Sequence, residues 1–321
     1  MTSQPSMQLW YHPLYTDGIH PEARFPRGRY RQLSERLQAE ENQDLVRIRT
    51  APLAARDDLL LAHDEAYIDA FLGATLSPNE VRRIGLRPWT SDLIPRTLHI
   101  VGGALAALSN VLDSGGFSGN MAGGTHHAHR DFGSGYCVFN DLAVCARKAL
   151  GHFGLSRVSV LDLDVHQGDG TATILRPVQG ARTISVHCGK NFPFRKAESD
   201  FDLPLDEGAG DGEFLTLVDQ AIERAMEFQP DLLLFQAGVD GLATDALGRL
   251  NISREGMRDR NQRVFAAVQQ TSTPCLLFMG GGYSDPIGPT VEAFVDLFLD
   301  AARAHRRTQG SGRVESSHFS S

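Results

Sequence analysis

The stretch with the most chemistry in it is VSVLDLDVHQGDG, residues 158–170. An apolar run, Val158 to Val160, leads into strict alternation. Asp162, Asp164 and His166 fall two apart and share one face of an extended chain, with Leu161, Leu163 and Val165 on the other. Gly168, Asp169 and Gly170 then break the strand into a loop. Such an apolar lead predicts a strand covered on both faces, as in a parallel sheet. Carboxylates and an imidazole at the end of that strand are costly to bury unpaired, so they either face water or hold positive charge. An Asp-x-His pair beside glycines suits a divalent metal ion, because the side chains converge and the backbone can come close. The plain alternative, a solvated edge strand, would carry Lys or Pro markers that this segment lacks.

A catalytic zinc site takes three protein ligands and leaves one position open. Asp164 and His166 supply two, and Asp240 in FQAGVDG is the best-placed third; Asp245, further into that loop, is a weaker competitor. Residues 120–140, NMAGGTHHAHRDFGSGYCVFN, have no regular period, and an irregular stretch of that length is uncommon unless it is functional. Adjacent histidines are usually surface residues, but this glycine-rich, aperiodic setting favours a role for His126 and His127. His129 and Arg130 read as solvated rim. His12 and His20 read either as mouth residues or as structural loop residues, and His187 as a buried, hydrogen-bonded histidine.

These residues need elements to bring them together. Helical patterns cover residues 28–41, 64–74, about 93–112, from an Asn140 or Asp141 cap to about 153, 213–228, 253–270 with Ser253 as N-cap, and 290–304. Strands are expected at 9–11, from 158 through the alternating run, at 182–187, 232–236 and 275–279; residues 78–91, 189–212 and 237–252 read as loops. This alternation predicts an α/β fold, a doubly wound, mostly parallel sheet flanked by helices. Sites in such sheets lie outside the carboxyl ends of the strands. Asp164 and His166, Asp240, and Tyr283 of GGGY all fall there.

The chain has 321 residues, 41% of them hydrophobic, and no linker that would divide it. One domain over 7–304 is expected, between a frayed tail at 1–6 and a polar, disordered tail at 305–321. No run approaches the ~20 apolar residues of a membrane span. The start, MTSQPSMQLW, lacks the pattern of a signal peptide, so a cytoplasmic protein is expected. Cys137, Cys145, Cys188 and Cys275 are scattered and read as free thiols. The net charge of −8 argues against direct nucleic-acid binding and is compatible with a cationic substrate.

GGTHHA at 123–128, DLDVHQGDG at 162–170, QAGVD at 236–240 and GGGY at 280–283, in that order, resemble the histone deacetylase family within the arginase/deacetylase superfamily. The likeness runs from about residue 8 to about 304 and is strongest to class IV and bacterial members. It implies an arginase/deacetylase-like fold and one zinc ion per chain on Asp164, His166 and Asp240. It implies that His126 and His127 are the paired catalytic histidines, that Asp162 and Asp169 hydrogen-bond them, and that Tyr283 binds the substrate carbonyl. Tyr136 and Phe192 match walls of the acyl-lysine tunnel, with Gly135 and Gly282 beside it. A monovalent cation such as K+, on carbonyls near Asp162, Asp164 and His166, is implied too. Residues 86–92, LRPWTSD, offer no clear equivalent of the acidic rim residue with which better-known members grip the substrate backbone.

The implied activity is hydrolysis of the amide of an acylated lysine peptide or a small acylated amine. The physical reading agrees. Zinc polarises a carbonyl and acidifies water, adjacent imidazoles can move protons near neutral pH, and a tyrosine hydroxyl can stabilise an oxyanion. Here His127 is expected as base and then acid, with His126 mainly electrostatic. Two other readings compete: a binuclear manganese ureohydrolase of the same fold, and a non-catalytic module that binds acylated amines.

Overall fold

The computed structural model describes residues 6–315. In order these form β1 (Met7–Tyr11), α1 (Leu14–Asp17), α2 (Gly28–Leu37), β2 (Val46–Thr50), α3 (Arg56–Leu60), α4 (Glu65–Leu72), α5 (Pro78–Ile84), α6 (Leu93–Ser114) and β3 (Phe117–Asn120). Then follow α7 (Asp141–Gly151), β4 (Val158–Asp162), α8 (Asp169–Leu175), β5 (Ala181–Cys188), β6 (Phe201–Leu205), α9 (Asp211–Glu227), β7 (Leu232–Gln236), α10 (Arg254–Thr271), β8 (Cys275–Phe278) and α11 (Gly288–Glu315). Among the described residues the strands make one eight-stranded sheet in the order β2-β1-β3-β8-β7-β4-β5-β6. All the pairings are parallel. The chain winds out to one edge, returns to the middle, winds out to the other edge and returns again, which is the doubly wound arrangement expected. β4, β7 and β8 are buried along their whole length, as sheet strands covered by helices on both faces must be.

The register positions the site. Asn120 pairs with Phe278, Phe278 with Gln236, and Gln236 with Asp162. These are the last residues of β3, β8, β7 and β4, so four adjacent strands end on one level line. The four loops that leave this line carry His126 and His127, Tyr283, Asp240, and Asp164 with His166.

Several elements were hidden in the sequence. Pro78 and Gly85, which suggest a loop, mark the two ends of α5. Ser77 Oγ accepts from the Glu80 N–H, Glu80 Oε2 accepts from the Ser77 N–H, Pro78 takes the first helical position and Gly85 caps the end at φ 87°. β6 carries Pro204, which an edge strand tolerates because one side of it has no ladder to serve. β3 (FSGN) has a single apolar residue and so shows no period, and β2 (VRIRT), an exposed edge strand, carries two charged residues. The extended run expected through His166 stops at Asp162 instead, because the carboxylates compete for the backbone. Asp162 Oδ1 accepts from the Asp164 N–H (3.2 Å) and Asp164 Oδ1 from the His166 N–H (3.0 Å), turning the chain twice. Gly168 then caps α8, where a loop was expected.

The last helix corrects the expected tail. α11 continues to Glu315, past the expected end at 304, and residues 316–321 and 1–5 lie outside the described residues. The reason is docking against the end of α6 and the start of β3: in a buried contact His305 Nδ1 accepts from the Phe117 N–H (3.1 Å), and at the surface Gln309 Nε2 donates to the Ser114 carbonyl (2.6 Å). None of the helices in the described residues is long and apolar enough to cross a membrane.

Truncation after Ala304 should therefore destabilise the protein. Loss of the His305 bond alone leaves a buried N–H unpaired, a cost of about 1–3 kcal/mol; an unchanged melting temperature would contradict this. Burial holds His63, His187 and His305 neutral, each at about 4 instead of 6.5. As pH falls, the unfolded chain takes up protons before the folded one, so stability intact at pH 7 is lost between about 6.5 and 4. Denaturation midpoints at pH 7 and pH 5 should differ, and His305→Gln should narrow that difference.

Candidate active site

Asp164, His166 and Asp240 meet at the ends of β4 and β7, with their ligand atoms within 4.8 Å of one another and all three residues buried. His166 Nδ1 faces both carboxylates, at 3.1 Å from Asp164 Oδ1 and 3.0 Å from Asp240 Oδ2. The arrangement is electrostatically short of positive charge. Burial and the neighbouring Asp164 raise the Asp240 carboxyl to about 7. Burial opposes charging of His166, yet Asp240 and Asp164 raise it to about 10. A β-carbon on Gly281 would run into the carboxylates of Asp240 and Asp164, so the backbone closes on the group as a cradle. The group therefore fits a divalent cation. Asp245 does not join it: its oxygens accept from the N–H groups of Leu247, Gly248 and Tyr283 (2.8, 2.9 and 2.6 Å) and so fix the loop that carries Tyr283.

The paired histidines stand beside this group, ring centroids 4.1 Å apart. His126 Nδ1–H donates to Asp162 Oδ2 and His127 Nδ1–H to Asp169 Oδ1, each at 2.7 Å. Their environments separate them. Burial disfavours a charged His126, but Asp162 and Asp164 outweigh it and raise the ring to about 9. Burial and the adjacent His126 lower His127 to about 4, against the pull of Asp169. The carboxylates thus favour positive charge on His126, while burial and His126 favour a neutral His127.

The loop bearing both rings is held by residues that sequence reasoning passed over. Asp141, weighed only as a helix cap, accepts from the N–H groups of Gly124 and Thr125 (3.0 and 2.8 Å), while Asn140 Oδ1 caps α7 through the Ala143 N–H (2.9 Å). Gly124 sits at φ 71° against the Gln236 side chain, where a β-carbon has no room. His63 donates from Nδ1 to the His129 carbonyl (2.9 Å) and accepts at Nε2 from the Asn140 N–H (2.8 Å). His129, expected as solvated rim, donates from Nε2 to Asp169 Oδ2 (3.0 Å) and stacks on Phe132, so Asp169 serves two imidazoles. Arg130 does lie at the surface, paired with Asp64. His187 is buried and bonded to Ser185 as expected. Two buried arginines carry no motif at all. Arg29 donates to the Gly282 and Gly280 carbonyls (2.8 and 3.1 Å), and Arg260 holds the carbonyls of Gly238 and Ala237 in the β7 loop.

A cavity of about 570 Å³ opens onto His126, His127, Asp164, His166 and Tyr283. Gly135, Tyr136 and Phe192 line it, with the Phe192 ring 4.9 Å from that of His127. Gly282 does not: its carbonyl is taken by Arg29, and a β-carbon there would meet Thr290, Val239 and Phe294 in the core. Gly280 and Gly281 line the wall in its place. His12 and His20 are also away from it, His12 being stacked on His99. The Tyr283 hydroxyl hydrogen-bonds to none of the described residues and is kept protonated by burial, so its O–H is left to serve a ligand.

Residues 22–297 match the model of the histone deacetylase domain. The chain belongs to the histone deacetylase family. It is 38% identical to an uncharacterised protein of Picosynechococcus sp. over 86% of this chain and 92% of that protein. It is 32% identical to histone deacetylase 2 of Arabidopsis thaliana (72% of this chain, 62% of that protein). With the acetoin utilization protein AcuC of Staphylococcus aureus the figures are 28%, 72% and 65%. The chain thus spans under two thirds of the plant and staphylococcal proteins. For this histone deacetylase family member, Asp240→Ala should weaken divalent-ion binding by at least roughly tenfold, since it removes a ligand. Tyr283→Phe should leave it intact. Elemental analysis after dialysis reads both, and metal retained by Asp240→Ala would exclude that residue as a ligand.

Proposed function

We propose that the chain is a zinc-dependent deacylase that hydrolyses the amide of an acylated lysine or a related acylated amine. The observation that supports this best is the meeting, on one cavity, of the Asp164–His166–Asp240 group, His127 paired with Asp169, and the Tyr283 hydroxyl. Two carboxylates and one imidazole nitrogen suit zinc, which when bound there supplies polarisation of the amide carbonyl and a lowered pKa for water. His127 gives its Nδ1–H to Asp169 and keeps Nε2 as a base. Nε2 takes the proton of the attacking water and returns it to the amide nitrogen as the C–N bond breaks, leaving a carboxylic acid and an amine, which end as carboxylate and ammonium. His126, hydrogen-bonded to Asp162, is the ring whose surroundings favour positive charge, and it would offset negative charge developing nearby. Tyr283 Oη donates to the carbonyl oxygen as it gains charge. Tyr136, Phe192 and Gly135 enclose the aliphatic chain that presents the amide. A binuclear ureohydrolase needs ligands for a second ion, and among the described residues this is the one group of three such side chains.

On an acyl-lysine substrate, Tyr283→Phe should lower kcat by roughly 10²–10³, the cost of one oxyanion donor. His127→Ala should cost at least as much and flatten one limb of the pH–rate profile. His126→Ala should cost less and keep that limb. The opposite pattern would reverse the two histidines, and activity that requires two equivalents of manganese would sink the deacylase reading.

A further inference from the structure

The mouth of the cavity has a charge of its own. Five exposed residues line it: Arg83, Lys190 and Arg249, with Phe194 (85% exposed) and Leu247 (43%). The one carboxylate that lines the cavity is Asp164, 1% exposed and committed to the ion site. The three cations come from separate segments: the last turn of α5, the loop after β5 and the loop after β7. They are under-compensated. Lys190 and Arg249 share Glu207, each at 3.6 Å, so one carboxylate answers two cations. Arg83 lies over the Phe132 ring at 4.5 Å and makes no ion pair among the described residues; Glu80, one turn before it, is engaged in the Ser77 capping box. All this sits on a chain of net charge −8, so the basic mouth is a local feature and not a reflection of composition.

We propose that the acylated amine enters on a carrier that bears a carboxylate or other anionic group close to the amine, and that cationic carriers are disfavoured. This rests on the deacylase reading and runs opposite to the cationic substrate with which the net charge is compatible. The distinction is physical: a long-range field set by total charge is screened within about 10 Å at 0.1 M salt, whereas a few charges around a concave mouth focus their field on whatever enters. Phe194 and Leu247 offer apolar contact between the cations. The anionic group can belong to an acidic residue flanking an acyl-lysine or to the free carboxylate of a small acylated amino acid.

The test is kcat/KM for the zinc-loaded enzyme on matched substrates at low salt: acetyl-lysine peptides flanked by Glu, Gln or Lys, Nα-blocked acetyl-lysine as free acid or methylamide, and acetylated putrescine. Anionic members should exceed their neutral partners by roughly tenfold, with the gap shrinking in 0.5 M NaCl, as for steered association. The peptide pair and the small-molecule pair identify the source of the charge. Arg83→Glu combined with Arg249→Glu should invert the order, and Glu207→Gln, which frees two cations, should widen it. Equal rates across the charge series, or preference for the Lys-flanked peptide or the polyamine, would overturn the proposal. If no substrate turns over, the deacylase reading fails, and calorimetric affinities for the same series still decide the charge preference.

Discussion

Buried negative charge at the centre of the sheet is the constraint on which the rest depends. Asp162, Asp164 and Asp240 all lie within a few ångströms of one another's partners at the ends of β4 and β7, and all are out of water. Isolated carboxylates in such a place would simply take up protons. Positive and donor groups offset part of this charge: the His126 and His166 rings, the Val165 and Gly281 N–H groups, and the guanidinium of Arg260 a step behind; Asp164 is held ionised, while Asp162 and Asp240 are still raised. Burial lowers even Arg260 to about 10, yet the field of Asp164 and Asp240 works against that fall. The site is thus a concentrated ionic assembly inside an apolar sandwich, and a divalent cation is the partner such an assembly favours.

The same constraint explains the glycines and the loops. Carboxylates that must accept several N–H bonds need backbone close by, and backbone comes closest where there is no side chain. Gly281 touches the ion group, Gly124 lies against Gln236, and Arg29 and Arg260 then tie the free carbonyls of these loops to the helices α2 and α10. The rigidity of the site comes from this stitching, since the loops themselves contain no regular structure. Asp169, shared by His127 and His129, applies the same logic one layer further out.

How much of this was legible in the sequence follows from which interactions are local. The chemistry-bearing residues were legible because their types and spacing are costly unless used: Asp164, His166, Asp240, His126, His127 and Tyr283 all stand on one cavity or its ion group. The alternation of strands with helices was legible from hydrophobic period. Supporting residues were not. Asp141, His63, Arg29 and Arg260 act through contacts with residues far away in the chain, and neighbouring sequence carries no trace of that. β3 has one apolar residue in four, the edge strand β6 contains a proline, and α5 hid because Pro and Gly end helices as readily as they make loops. The polar C-terminal composition masked a helix whose buried side is supplied by single residues such as His305.

The level line of strand ends also bears on how the molecule is made. β3 lies next to β8 in the sheet, although the chain builds β4, β5, β6 and β7 before β8 exists. Until β8 pairs, one side of the β3 backbone has no partner strand. An open parallel edge of that kind is slow to close and prone to wrong partners. The ion group, the histidine loop and Tyr283 need all four strands in register, so the site is complete only once β8 lies between β3 and β7, the one strand that joins the two halves of the sheet.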